Sequence, residues 1–302
     1  MPITTTSFYS DSLKLSANLY VHDNLKPGSK VPAIVLCQGL SGVKYKVLPE
    51  VAAYFMAAGY GVLAFDYRGC GDSEGDPHRL FPEERLEDVL AAIAYVRSLP
   101  NVDAMRLALY GISYGGGIAL AAAAQDAQVR CVVSVSGAVD GMSLMRGLRT
   151  NDQWLDFKAL LEKDREQRAI TGKSDLISVS DLLPFGAKFW AQYDALVSPA
   201  QSESLPNATE KTFAAFTLQS AQAITDFTIA NRLAGLAAKP TLLIHGEQDD
   251  VIAIEDALGL YEKIPAPKQF IKIPGMGHVD LDHDPVLLQV LQQALAWYKL
   301  YL

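Results

Sequence analysis

The chain is short of several things, and each shortage excludes something. It has three cysteines, Cys37, Cys70 and Cys131, in 302 residues. An odd and sparse set gives no disulfide framework and fits a reducing compartment. Basic residues are not in excess: 26 Lys and Arg face 34 Asp and Glu, a net charge of −8. Phosphate binding needs a basic footprint, so no nucleic-acid partner is expected. The opening stretch MPITTTSFYSDS carries neither the basic run nor the apolar run of a secretory leader, and the expected location is cytoplasmic. Internal repeats and low-complexity linkers are absent, which argues against tandem domains. Residues 107–125 are uncharged and long enough for a membrane span, but Gly111-Ile-Ser-Tyr-Gly-Gly-Gly117 breaks the run in its middle. A strand, a tight turn and a buried Ala-rich helix are expected there, and no membrane partner.

What is present is a large apolar fraction, 50% of the residues, enough for a substantial core. Residues 1–23 alternate apolar and polar and predict an edge hairpin. Short apolar runs then alternate with helical segments. The runs are Val31–Cys37, Tyr60–Asp66, Arg106–Ile112 and Val129–Ser136; the helices are Val47–Ala58, Pro82 to about Leu99, and Tyr114–Gln125. That rhythm predicts a mostly parallel sheet with helices on both faces. It stops after Val139. Residues 141–232 show no buried strand and read as helices at Asp152–Ala169, Phe185–Leu196 and Glu210–Leu233. The rhythm resumes with a strand from Lys239 to His245, a strand at Gln269–Ile273 and a helix at Asp284–Leu300, with Asp284 as cap and Pro285 as first residue. The expected organisation is one α/β unit, residues 1–140 and 233–302, interrupted by a helical cap over 141–232.

Gly111-Ile-Ser113-Tyr-Gly115 falls between a strand and a helix. A serine there sits on a strained turn with its hydroxyl raised above the sheet, facing a helix N-terminus. Ser113 is therefore the candidate nucleophile. It needs a base and an acid that orients the base. Of five histidines, His278 lies in a Gly-rich loop after the last strand and is preferred to His283. His245 reads as a packed histidine beside a turn. Asp249 and Asp250 follow the Thr241–His245 strand in the order serine, acid, base; the spacing favours Asp249. Oxyanion donors are expected from the backbone N–H groups of Tyr114 and Leu40. Gly69–Gly75 matches neither a calcium loop nor a dinucleotide fingerprint, and His278, Asp280, Asp282 and His283 read as a helix-entry loop. No cofactor and no metal are expected. Phe185, Phe189 and Tyr193, with Trp154 and Trp190, read as packing within the insertion.

Together these residues resemble the α/β-hydrolase superfamily. Phe65-Asp-Tyr-Arg-Gly-Cys-Gly-Asp-Ser-Glu-Gly75, with Gly-Ile-Ser-Tyr-Gly-Gly116, is similar to its dienelactone-hydrolase-like and Xaa-Pro dipeptidyl-peptidase-like (cocaine-esterase-like) branches. Gln38 departs from the pattern, because that position often holds histidine. The resemblance implies an α/β-hydrolase fold and a Ser113, His278, Asp249 triad acting on a small-molecule carboxylic ester. A lactonase, thioesterase, amidase or peptidase, acyltransferase or C–C hydrolase would use the same residues. A small-molecule sensor without turnover is the rival from another class. A homodimer is compatible with all of these.

Overall fold

The short apolar runs form strands because both their faces are covered. In a computed structural model that describes residues 3–22, 25–26, 28–40, 42–186, 189, 215–265 and 267–302, β3 (Val31–Cys37), β4 (Gly61–Phe65), β5 (Val102–Ile112), β6 (Val129–Val135) and β9 (Thr241–Gly246) pair in parallel. The edges are β10 (Lys268–Ile273), also parallel, and the antiparallel hairpin of β1 (Ile3–Ser10) and β2 (Leu13–Tyr20). The order across the eight strands is β1-β2-β4-β3-β5-β6-β9-β10. Side chains alternate between two buried layers, as the two-residue strand period requires. Val35, Leu107, Leu109 and Val132 join one layer, beneath α2 (Pro82–Ser98) and α3 (Tyr114–Gln125). Ile34, Leu36, Ala108, Tyr110 and Val133 join the other, beneath α1 (Leu48–Ala57) and the last helix, Val286–Tyr301. Tyr298 of that helix donates its hydroxyl to the Leu109 carbonyl at 2.9 Å.

The uncharged run divides as its glycines dictate. β5 ends at Ile112, Ser113 turns the chain, and α3 starts at Tyr114. Strand and helix touch so closely that a Cβ on Gly111 would lie 2.3 Å from the Gly115 carbonyl oxygen. A Cβ on Gly115 would lie 2.2 Å from that of Cys37. Among the described residues, no helix is long and apolar enough to cross a membrane.

Between β6 and β9 the chain forms α4 (Gly141–Gly147), then α5 (Asn151–Thr171). Thr150 and Gln153 form a reciprocal cap at the start of α5, and Gly172, in the left-handed region, ends it. The expectation of no strand in 141–232 is corrected here. β7 (Leu176–Ser178) and β8 (Ala215–Thr217) make a two-stranded antiparallel sheet that buries Ile177 and Phe216. Three residues are too few to show a period, so nothing in the sequence marked them. The expected helix at Glu210–Leu233 is shorter in its described part, α7 (Leu218–Asp226). Thr217 caps it by accepting from the Ser220 N–H, and a four-residue helix, α6 (Val179–Leu182), precedes β8. The expected helix at Phe185–Leu196, with Trp190 and Tyr193, falls mostly outside the described residues; the Phe185 and Phe189 rings meet at a tilt of 52° with centroids 4.3 Å apart. After β9 come α8 (Ile254–Lys263) and α9, the Val286–Tyr301 helix. α9 begins one residue later than expected, with Pro285 in the cap position. Asp284 still accepts from the Leu288 N–H at 3.2 Å.

The close approach gives a direct prediction. Gly115→Ala should lower stability by about 1–3 kcal/mol through overpacking against Cys37, read as a shifted urea midpoint.

Candidate active site

Ser113 lies at the carboxyl end of β5 with φ 53° and ψ −127°, in the positive-φ half of conformational space that non-glycine residues seldom occupy. Neighbouring backbone holds it there: its N–H donates to the Val135 carbonyl at 2.9 Å, and its carbonyl accepts from Ala138 at 3.1 Å and Gly116 at 2.9 Å. The turn lifts Oγ to 2.9 Å from Nε2 of His278.

His278 lies in the loop after β10, and Asp249 in the loop after β9. The two loops are joined where Gln248 N–H donates to the Met276 carbonyl at 3.0 Å. His278 Nδ1 lies 3.0 Å and 2.9 Å from the two Asp249 oxygens. An ionised carboxylate only accepts, so Nδ1 carries the proton and Nε2 is left to accept from the serine hydroxyl. Asp249 is ionised: burial pushes its carboxyl up, but His278 and the Ile252 N–H outweigh burial and bring it down to about 2. Oδ1 also accepts from Val251 at 3.0 Å and Ile252 at 2.9 Å. The structure thus brings Ser113, His278 and Asp249 into one line. Asp250 and His283 are exposed.

Tyr114 follows the serine directly in the chain. Gly39, the residue before Leu40, packs on Ser113, since a Cβ there would lie 3.3 Å from Ser113 Cβ. The Gly39 N–H is consumed by the Gln38 side-chain oxygen at 2.8 Å. The N–H groups of Leu40 and Tyr114 donate to no atom among the described residues.

Three features escaped the sequence reading. Gln38 shapes the loop after β3, donating from Nε2 to the carbonyls of Val43 at 3.2 Å and Lys46 at 2.9 Å. Arg85, buried in the first turns of α2, donates to the carbonyls of Gly39 at 3.1 Å and Leu40 at 3.0 Å. His245 is packed as expected, but it also stands behind the acid: Nε2 donates to the Ile252 carbonyl at 2.9 Å and lies 3.6 Å from Asp249 Oδ2. No local pattern signals such partners: Gln38 and His245 bond within the irregular loops that follow β3 and β9, and Arg85 reaches the loop after β3 from another element. In the acidic stretch near His278, Asp280 accepts from the Gly277 N–H at 2.7 Å. Among the described residues, no group of three or more His, Cys, Asp or Glu is placed to hold a metal ion.

Fold and site define a class that comparison with known proteins makes explicit. The model of the alpha/beta hydrolase fold family matches residues 32–285, and the chain belongs to that family. The quorum-quenching protein AidA of Acinetobacter baumannii is 44% identical over 139 residues, 45% of this chain and 44% of that protein. The acyltransferase drtE of Aspergillus calidoustus is 27% identical over 281 residues, 90% of this chain and 85% of that protein. The crystal structure of the hypothetical protein PA2218 from Pseudomonas aeruginosa matches with a TM-score of 0.83 at 25% identity, covering 100% of this chain and 94% of that one.

Burial lowers the His245 imidazole below its ordinary 6.5. When the unfolded chain takes up a proton on this residue, the folded chain resists, so stability is complete above that value and falls as the medium is acidified. His245→Gln should therefore weaken the loss of stability between about pH 7 and pH 5. Urea midpoints across that range, against the unsubstituted protein, are the measurement; parallel pH profiles would refute the assignment.

Proposed function

We propose that the protein is a serine hydrolase that cleaves a carboxylic ester through an acyl-enzyme intermediate. The observation that carries this reading is the unbroken chain of contacts from Ser113 Oγ through His278 to Asp249. His278 Nε2 takes the hydroxyl proton as Oγ attacks the substrate carbonyl. The bond to the carbonyl carbon forms, and the π electrons move to oxygen. Leu40 and Tyr114 N–H groups receive that oxyanion. His278 then returns the proton to the departing alcohol, and the acyl group stays on Ser113. Water repeats the sequence: His278 deprotonates it, and Ser113 leaves with its proton restored. Asp249 holds the imidazole tautomer and stabilises the imidazolium. As a cap, residues 141–232 would select the substrate. The reaction needs no metal or cofactor.

A second reading is favoured by one specific observation, the similarity to an acyltransferase over most of both chains. The same acyl-enzyme would then be taken by an alcohol rather than water, with His278 deprotonating the acceptor hydroxyl.

Ser113→Ala should reduce ester turnover on the order of 10⁴-fold or more, and Asp249→Asn by about 10⁴-fold through the wrong tautomer. A fluorophosphonate should label Ser113 in the unsubstituted protein and nothing in the Ser113→Ala protein. Product analysis with added alcohol separates free acid from new ester. Near-normal turnover by Ser113→Ala would sink both readings.

A further inference from the structure

Arg85 is buried, with 3% of its surface exposed. A buried guanidinium is costly unless paired, yet among the described residues no carboxylate forms an ion pair with it. Its hydrogen bonds run instead to the carbonyls of Gly39 and Leu40 and to the Cys70 sulfur at 3.7 Å. It also faces the rings of Tyr67, at 4.7 Å, and Tyr114, at 5.5 Å. The charge sits near the N-terminus of α2, just after Pro82, where the helix dipole disfavours a cation. Burial, the missing counter-ion and the dipole all oppose a cation here. Such local conflicts concentrate where function requires them.

The two carbonyls show what the cation does. Gly39 C=O and Leu40 N–H belong to one peptide unit, and in a trans peptide they point in opposite directions. A cation drawing on the Gly39 oxygen therefore fixes the Leu40 N–H on the far side of the plane. It also polarises the amide, since a hydrogen bond to the oxygen strengthens the donor at nitrogen. Gly42, with φ +66°, lets the loop close over the guanidinium: a Cβ there would lie 3.1 Å from Nη2 and 2.7 Å from Cys70 Sγ. Gln38 takes up the Gly39 N–H, whereas the Leu40 N–H has no acceptor among the described residues.

We propose that Arg85 is a positioning residue that aims and polarises the Leu40 N–H toward the oxyanion formed above Ser113. The inference rests on the serine-hydrolase reading. Arg85 touches neither substrate nor Ser113 Oγ; it acts through one peptide plane, and so it matters more to the transition state than to the bound substrate.

The test is steady-state hydrolysis of p-nitrophenyl acetate by Arg85→Gln and Arg85→Lys, with melting temperatures. Tyr298→Phe, which loses a buried hydrogen bond on the opposite face of the sheet, is the control for stability alone. Removing a whole oxyanion donor costs about 10²–10³ in kcat. Misaiming one should cost Arg85→Gln about 10–100-fold in kcat with KM within about threefold. Arg85→Lys, able to reach one carbonyl, should recover part of the loss. The proposal is overturned if kcat of Arg85→Gln stays within twofold of the unsubstituted protein, if KM rises instead, or if Tyr298→Phe loses kcat equally. Should Arg85→Gln not fold, Arg85→Lys decides: a reduced kcat at unchanged KM supports the proposal, and unsubstituted kcat overturns it. Failure of the parent reading looks different. It appears as turnover retained by Ser113→Ala and no fluorophosphonate label on Ser113.

Discussion

The structure depends on one tight turn. Ser113 can face the loops above the sheet only because β5 and α3 approach within backbone contact distance, and that approach tolerates no side chain at Gly111 or Gly115. The positive φ of Ser113 is an unfavourable conformation for a residue with a Cβ. It persists because hydrogen bonds to the Val135 carbonyl and from the Gly116 and Ala138 N–H groups fix the peptide on either side. The strained residue is thus held by β6 and α3 together, and the strand order sets which other loops can reach it. β3 is one neighbour of β5 and β6 the other, with β9 and β10 beyond β6.

The same order explains how residues far apart in sequence converge. In a parallel sheet the carboxyl ends of the strands lie on one edge, so the loops after β3, β5, β9 and β10 open toward a common space. The loop after β3 carries Leu40, β5 delivers Ser113, and the loops after β9 and β10 carry Asp249 and His278. Apart from a single 3-10 turn at Val279–Asp282 after His278, these loops are irregular, and polar bonds shape them. Asp249 is held by two backbone N–H groups and backed by His245. The loop after β3 is held by Gln38 and Arg85, and further along by Lys44, whose ammonium lies 2.6 Å from the buried Asp66 carboxylate. Donors fixed in advance need no reorganisation when charge develops, which is where such sites gain most of their effect.

Much of this was legible in the sequence because the local signals agreed. The edges of α3 are marked by the serine turn before it and Asp126 after it, and α2 opens on proline with acids in its first turn. Short apolar runs alternating with helical segments read as strands, and chain order with loop position singled out Ser113, His278 and Asp249. What escaped has a common cause. Three-residue strands such as β7 and β8 are too short to carry a period. Gln38 and His245 bond within the loops that follow β3 and β9, through irregular backbone that carries no sequence pattern, and the role of Arg85 exists only through tertiary contact. Arg85 lies 46 residues from the carbonyl it holds, and on its own helix it looks like a poorly placed cation.

That misplacement is informative about how the polar interior is organised. Arg68, also buried, has a conventional counter-ion: Asp88 accepts from its Nε at 2.8 Å and from its backbone N–H at 2.9 Å. Arg149 within 141–232 donates to the carbonyls of Met145, Asp181 and Leu182 and stacks on Phe157 at 3.9 Å, tying short segments to one another. Burial lowers its guanidinium from the ordinary value, and carbonyl dipoles are its hydrogen-bonding partners. The chain therefore uses buried arginine in two ways: against a carboxylate where it anchors the turn after β4, and against carbonyls where irregular backbone must be fixed. Five donors in a rigid plane suit the second task, because one side chain can hold several carbonyls at defined angles. At the loop after β3 the held carbonyl shares its peptide with the N–H beside Ser113. There the backbone anchor and the electrostatics of the site become the same interaction.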